Sequence, residues 1–276
     1  MRRVVAYRAN KVLYNFLRSN KVSGVALLPV NVCHSVVATV EYAGLQVLFV
    51  DIAAETLCMD TASALKLVHD ASLLIYVHTY GVEYTPQEFY QQVKALNPNI
   101  LIVDDRCLCL PEFNVEDCGA DLVVYSTGGK KQVDLGIGGI GFVAEDRRYE
   151  EVAVEDDELL TNNVWTQDEK ILLAKMDAVI KHKEKLNAIY RKNLPAAIQL
   201  PASYQHWRFN IIVPNKDEIL KAIFDAGLFA SGHYVPQADN SNVATNLYNH
   251  VINLFNDFYF TEEQARKTCE IINQMV

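Results

Sequence analysis

The chain has 276 residues, 50% of them hydrophobic and 21% charged, with 8 Pro and 12 Gly. That profile belongs to a folded protein with a sizeable core and excludes disordered and collagen-like classes. Twenty-five basic against 34 acidic side chains give a net charge of −9, which argues against a general nucleic-acid binder.

Short apolar, β-branched or Leu-rich runs alternate with helical periodicity through the first 145 residues. In chain order the pattern predicts strands at Val25–Pro29, Gln46–Asp51, Leu73–His78, Asn99–Asp104, Asp121–Ser126 and Ile140–Ala144. Helices are predicted at Ala9–Ser19, Ser35–Ala43, Thr61–His69 and Pro86–Leu96, the last with Thr85 as its cap and Pro86 in its first turn. This alternation implies an α/β sheet covered on both faces. Glu145–Glu158 carries eight acidic and two basic residues and reads as a solvated connection. A long amphipathic helix follows over Thr166–Leu194, then a strand at Arg208–Val213, a helix at Lys216–Ala226, a loop from Ser231 to Asn242, and a final helix from Thr261 to about Met275. The expected division is a large α/β domain over 1–160 and a smaller C-terminal α/β domain, entered by the long helix, over 161–276.

The longest apolar runs, such as Leu73–Val77, are too short to span a bilayer, and no signal-type apolar stretch follows Arg2-Arg3. A cytoplasmic protein that binds neither membrane nor nucleic acid is expected. The six cysteines are scattered, and Cys107 and Cys109 have no partner pair at zinc-like spacing. Neither a disulfide framework nor a metal site is expected.

In open α/β sheets ligands collect at the carboxyl ends of strands. Three such ends carry polar groups that a plain core does not need: His78-Thr79-Tyr80-Gly81, Asp104-Asp105-Arg106 and Ser126-Thr127-Gly128-Gly129-Lys130-Lys131. Singly, each is ordinary loop, cap or surface chemistry. Together, an acid at one strand end and a lysine after a Gly-rich turn can face one crevice. A desolvated lysine there forms a Schiff base with a carbonyl, and a buried carboxylate holds a pyridinium nitrogen protonated. Those are the demands of a pyridoxal phosphate site, and Ser126, Gly128 and Gly129 offer phosphate donors. The Walker pattern is missing, and Gly136-Ile137-Gly138-Gly139 precedes a strand, the wrong context for a dinucleotide. Arg106 reads equally as partner of a neighbouring carboxylate or as a surface residue.

Over most of its length the chain resembles the DegT-type sugar aminotransferases, fold type I pyridoxal phosphate enzymes. The resemblance rests on Leu27-Leu28-Pro29, Ala43-Gly44, Phe49-Val50-Asp51-Ile52, Val77-His78-Thr79-Tyr80-Gly81, Ile102-Val103-Asp104-Asp105, Ser126 with Lys131 five residues later, Gly138-Gly139, and Gly232-His233-Tyr234-Val235-Pro236. It implies Lys131, rather than Lys130, as the Schiff-base lysine, Asp105 at the pyridine nitrogen and Ser126 on the phosphate. It further implies Arg8 at the phosphate turn, His34 as the ring beside the cofactor, His78 as a cofactor contact, and His233 and Tyr234 toward substrate. The implied activity is amino transfer from an amino acid, glutamate in the family, to a nucleotide-linked keto-sugar by a homodimer, in cell-surface polysaccharide or related sugar biosynthesis. Against the family this is a short member that starts close to the phosphate turn. The alternative it raises is a shortened, catalytically impaired paralogue that serves as a binding or regulatory subunit. Asn162-Asn163 resembles a family asparagine that reaches a neighbouring subunit's phosphate.

Overall fold

The computed structural model describes all residues except 83–85, 155–159, 164, 166–168 and 240. The chain opens with β1 (Arg2–Ala6), α1 (Ala9–Ser19), β2 (Gly24–Pro29), α2 (His34–Tyr42), β3 (Leu45–Val50) and α3 (Thr61–Leu65). β4 (Leu73–Val77), α4 (Gln87–Leu96), β5 (Leu101–Asp105), β6 (Leu122–Ser126) and β7 (Gly139–Val143) follow. They form a seven-stranded sheet in the order β1-β7-β6-β5-β4-β2-β3, with β2 to β6 mutually parallel and β7 antiparallel to both β6 and β1. Because the chain runs outward from β2 to β3 and then restarts on β2's other side with β4, the connections diverge at the β2–β4 boundary. That switch point opens a crevice at the strands' carboxyl ends.

Both faces of the sheet are covered, which is why the strands read as continuous apolar runs. Alternate residues serve different cores. Leu27, Leu74, Ile102, Val123 and Tyr125 point into one. Ala26, Leu28, Leu73, Ile75, Val103 and Val124 point into the other, against Phe16 and Val40 of α1 and α2.

The remainder comprises α5 (Glu169–Asn193), β8 (Phe209–Ile212), α6 (Lys216–Asp225), β9 (Ala230–Ser231), α7 (Asn242–His250), β10 (Val251–Leu254) and α8 (Glu262–Asn273). A three-stranded antiparallel sheet, β8-β10-β9, packs on α5, α6 and α8 around a third core that includes Tyr190, Phe209 and Ile252. α8 starts with a full capping box: Thr261 Oγ1 accepts from Gln264 N, and Gln264 Oε1 accepts from Thr261 N. Among the described residues no helix is long and apolar enough to cross a membrane, and no group of three His, Cys, Asp or Glu is placed to hold a metal.

The structure departs from the sequence pattern in a few places. β1 is an added edge strand whose register pairs Arg2 with Val143; its partner lies at the far end of the large sheet, so no local turn signal announces it. The expected Thr61–His69 helix stops at Leu65. The turn at Val68–Asp70 tightens to 3-10, and Asn97 Nδ2 donates to the carbonyls of Val68 and Ala71 at 2.8 and 2.9 Å, fixing that turn from α4's end. Residues 243–260, to which the pattern assigns no element, contain most of α7 and the central strand β10. Thr85 and the start of the expected Thr166–Leu194 helix lie outside the described residues, as does part of the acidic connection.

Candidate active site

The carboxyl ends of β2, β4, β5 and β6 and the N-terminus of α1 line one cavity at the switch point. Its wall includes Arg8, Asn31, Cys33, Thr79, Asp105, Cys107, Ser126, Lys131, His233 and Tyr234. Asp105 ends β5, is 6% exposed, and accepts from Cys107 N–H at 2.9 Å. Its neighbour Asp104 faces the other way, as the strand's two-residue alternation requires. There it accepts from His78 Nε2 at 2.6 Å and from Arg106 Nε and Nη2 at 3.1 and 2.9 Å. Burial opposes ionisation of Asp104, but its contacts with His78 and Arg106 outweigh it and hold the carboxyl below the usual carboxylate range. Arg106 therefore partners a carboxylate, and it also reaches Tyr125 and Glu112.

Lys131 sits in the turn after β6. Lys130 takes a left-handed backbone (φ 64°) there, and its N–H donates to Asp134 at 2.9 Å. Thr127 Oγ1 donates to Ile137 O across the base of the loop, so the lysine turn is a closed structure rather than a free flap. Burial pushes the Cys107 thiol well up, Asp105 pushes it further, and Lys131 acts in the opposite sense. Ser126 Oγ accepts from Gly128 N–H at 3.2 Å.

The α1 N-terminus joins this wall through a tight backbone crossing. Gly138 N–H donates to Tyr7 O at 2.7 Å, and Arg8 pairs with Gly138 as a β-bridge. At Gly139 a Cβ would lie 2.4 Å from Ala9 N and 2.5 Å from Ala9 Cα; only glycine lets β7 pass so close beneath the helix start. Arg8 caps α1 without a side-chain cap bond, and no acid occupies the helix's first turn. That end is left as an electropositive site for an anion.

The far wall comes from the C-terminal part. Gln237 N–H donates to Val30 O at 2.9 Å, and Asp51, just after β3, accepts from Val243 N and Ala244 N at 3.0 and 3.1 Å. The segment carrying His233 and Tyr234 is thereby docked over the β2 and β3 ends. Burial lowers His233 to about 4, and its Nε2 has no hydrogen-bond partner among the described residues. Burial raises Tyr234, with Cys33 and Asp105 adding to it.

Of the residues singled out from sequence, Arg8, Asp105, Ser126, Lys131, His233 and Tyr234 share this cavity. His78 and His34 are not among its lining residues. His78 is 1% exposed and spends both ring nitrogens on Asp104 and on Val82 O, the latter at 2.8 Å. His34 opens α2 exposed to solvent, while its neighbours Cys33 and Ser35 face the cavity. The His-Tyr-Gly motif does structural work instead. Tyr80 stacks on Trp207 at 6.3 Å and meets His233 edge-on at 4.9 Å. Gly81 (φ 77°) passes so close to Leu108 O that a Cβ would sit 2.3 Å from it. Asn162 lies in a different cleft, bonded to Lys11 Nζ at 3.1 Å. Thr79 lies in the His78–Gly81 strand end that the sequence singles out; Asn31 and Arg208 were missed, because each follows or opens a strand in apolar context and carries no motif of its own.

No family model matches the chain, and no curated protein matches it. Solved structures do. A DegT/DnrJ/EryC1/StrS aminotransferase from Brucella abortus is 15% identical, with a TM-score of 0.74 over 99% of this chain and 86% of that one. A Streptococcus pneumoniae protein in its PLP form is 15% identical, with a TM-score of 0.77 over 99% and 88%. DesI, solved in the presence of its TDP-sugar product, is 15% identical, with a TM-score of 0.77 over 99% and 80%. The chain therefore has the mixed α/β fold of these aminotransferases.

Proposed function

We propose that the chain is a pyridoxal phosphate-dependent aminotransferase that uses an amino acid donor to aminate a nucleotide-linked keto-sugar. The observation that carries this reading is the convergence of Asp105, Lys131, Ser126 and the α1 N-terminus on one cavity. The cavity suits the cofactor. The α1 end with Arg8 and Ser126 provides cation, hydroxyl and helix-dipole contacts for a phosphate. Buried Asp105 supplies a carboxylate, and His233 Nε2 and Asn31 Oδ1 are enclosed polar atoms with no partner among the described residues.

When bound, pyridoxal phosphate supplies the electron-withdrawing ring that stabilises negative charge at the donor's α-carbon. Asp105 would hold the proton on the ring nitrogen, and its low exposure would strengthen that interaction. Lys131 Nζ would hold the cofactor, and its amine would serve as the base and acid that moves the proton at the donor's α-carbon. Tyr234 and His233, with its low pKa, cover the cavity as neutral groups and help exclude water. His34 and His78 have no part in this arrangement.

The same reading divides the chain at about residue 160, makes the protein a cytoplasmic homodimer, and places it in polysaccharide or related sugar biosynthesis. Its support is the likeness to aminotransferases of known structure, one of them solved with a TDP-sugar product. The test is spectroscopic. Protein purified with pyridoxal phosphate is expected to show a visible absorbance band that borohydride abolishes and that Lys131→Ala lacks. No band at saturating cofactor would favour a non-catalytic binding subunit. With an active preparation, Lys131→Ala should lower kcat roughly 10²- to 10⁴-fold, the range for losing a general acid–base group.

A further inference from the structure

Beside Lys131 the cavity continues into a second cleft between the lysine turn, α5 and the small sheet. That cleft is lined by four basic residues, the proposed Schiff-base Lys131 and the three further cations Lys130, Lys175 and Arg208, against two acids, Asp134 and Asp257. In a chain of net charge −9, a local cationic excess next to the proposed reacting lysine calls for an anion. Asp134 is committed to the turn, where it accepts from Lys130 N and Gly136 N.

Arg208 is the most constrained of the four. It is 2% exposed, and its guanidinium lies 4.2 Å from the Phe255 ring centroid and 5.3 Å from that of Trp207. Nη1 donates to Asp257 at 2.7 Å, Nε has no partner, and Nη2 makes no hydrogen bond among the described residues. The Nε–Nη2 edge is the one a carboxylate or phosphate grips in two-pronged fashion. Arg208 also lines the passage that joins this cleft to Cys33, Lys131 and Tyr234. Its position is fixed relative to Lys131, because the preceding Trp207 donates from Nε1 to Lys130 O at 2.8 Å. The nearby buried Lys183 cannot substitute for it, since Lys183 Nζ donates to Trp207 O and Asn256 Oδ1, both at 2.8 Å.

We infer that Arg208 is an oxyanion-binding residue of the substrate site, gripping a carboxylate of the amino donor or a phosphate of the sugar substrate beside Lys131. The inference deepens the aminotransferase reading and rests on it for the source of the anion. The anion itself can be titrated without turnover.

Glutarate, as a dicarboxylate probe, and inorganic phosphate are titrated calorimetrically into the wild type and into Arg208→Gln and Asp257→Asn. Only the component lost with Arg208 counts, because the α1 N-terminus is a separate anion site. Arg208→Gln is expected to weaken one of the two probes roughly tenfold to a hundredfold, the loss of one charged hydrogen bond or a pair. Loss confined to glutarate assigns the amino donor; loss confined to phosphate assigns the sugar substrate. Asp257→Asn, which removes a competing carboxylate and leaves Arg208 in place, is expected to tighten the same probe. A purely structural role for the pair does not produce that gain. Unchanged affinity for both probes in Arg208→Gln, or weaker binding in Asp257→Asn, overturns the inference. The visible band of cofactor-loaded wild type reports on the aminotransferase reading separately, so the two can fail independently.

Discussion

Asp104 and Asp105 are adjacent and chemically identical, and the pleat of β5 gives them opposite environments. Asp105 faces the cavity with one backbone donor, while Asp104 is 0% exposed and accepts from His78 and Arg106. Removing Arg106 leaves a buried carboxylate with a single partner. Arg106→Met is expected to destabilise the fold by about 3 kcal/mol in urea denaturation, the usual scale for breaking a buried pair. The pH dependence has a definite sign. The folded pKa of Asp104 is depressed below its unfolded value, so its contribution is present above the unfolded pKa, near 4, and is lost as pH falls through the folded value. In acid titration Asp104→Asn should therefore flatten the loss of stability below about pH 4. Arg106 is also where residue-level reading of the sequence ran out. A guanidinium two residues after an acid can sit on either side of a strand end, and its bonds to Glu112 in the following loop and to Tyr125 on the neighbouring strand determine which.

At the scale of elements, the site depends on how backbone segments are held against one another. β7 can lie under the start of α1 only because residue 139 has no side chain. Gly139→Ala is expected to push α1 outward, costing about 1–3 kcal/mol by overpacking, and to weaken phosphate binding at that helix end. Chemical denaturation reads the first effect and phosphate titration the second. Asp51 caps α7 from the large sheet and so ties the His233–Tyr234 segment to the cavity. Asp51→Ala should lower stability by about 1 kcal/mol, the ordinary cost of a lost cap, and should expose residues 232–241 to faster amide exchange. β2 and β4 to β7 are legible from sequence because burial on both faces makes them apolar runs, whereas the edge strand β3, with Gln46 and Leu48 exposed, is legible from its hydrophobic, strand-forming composition. α7 and β10 are less so: Asn242–His250 is polar and short, and its cap is supplied by a residue from β3's end instead of by its own flank.

Across the whole molecule, α5 and the small sheet meet at a buried lysine. Lys183, 4% exposed, binds Trp207 O and Asn256 Oδ1, and its pKa is lowered to about 7, first by burial and then by Arg208. A lysine with a depressed folded pKa makes the unfolded chain bind more protons between that value and its ordinary pKa of about 10.4. Stability should therefore rise as pH increases from about 7 toward 10. Lys183→Met is expected to remove that rise, as followed by melting temperature across the same range. Trp207 ties the same region to the lysine turn and to Tyr80, so loosening it is expected to reach the cavity at the switch point as well.

By itself the sequence determined the strand-and-helix alternation, the buried parallel sheet, and the strand ends where polar residues interrupt apolar runs. Those features are local: periodicity, turn chemistry and spacing express them within a few residues. Tertiary structure decided which of those strand-end groups face one another. It brought Asp105, Ser126, Lys131, Arg8 and Tyr234 to one cavity and turned His78 into a partner for Asp104. It left His34 in solvent and set Arg208 beside the lysine turn. The physical reason is that a side chain's role depends on the side of the sheet it points to and on what the rest of the chain packs there. Both are fixed by strand order and by contacts between residues far apart in sequence.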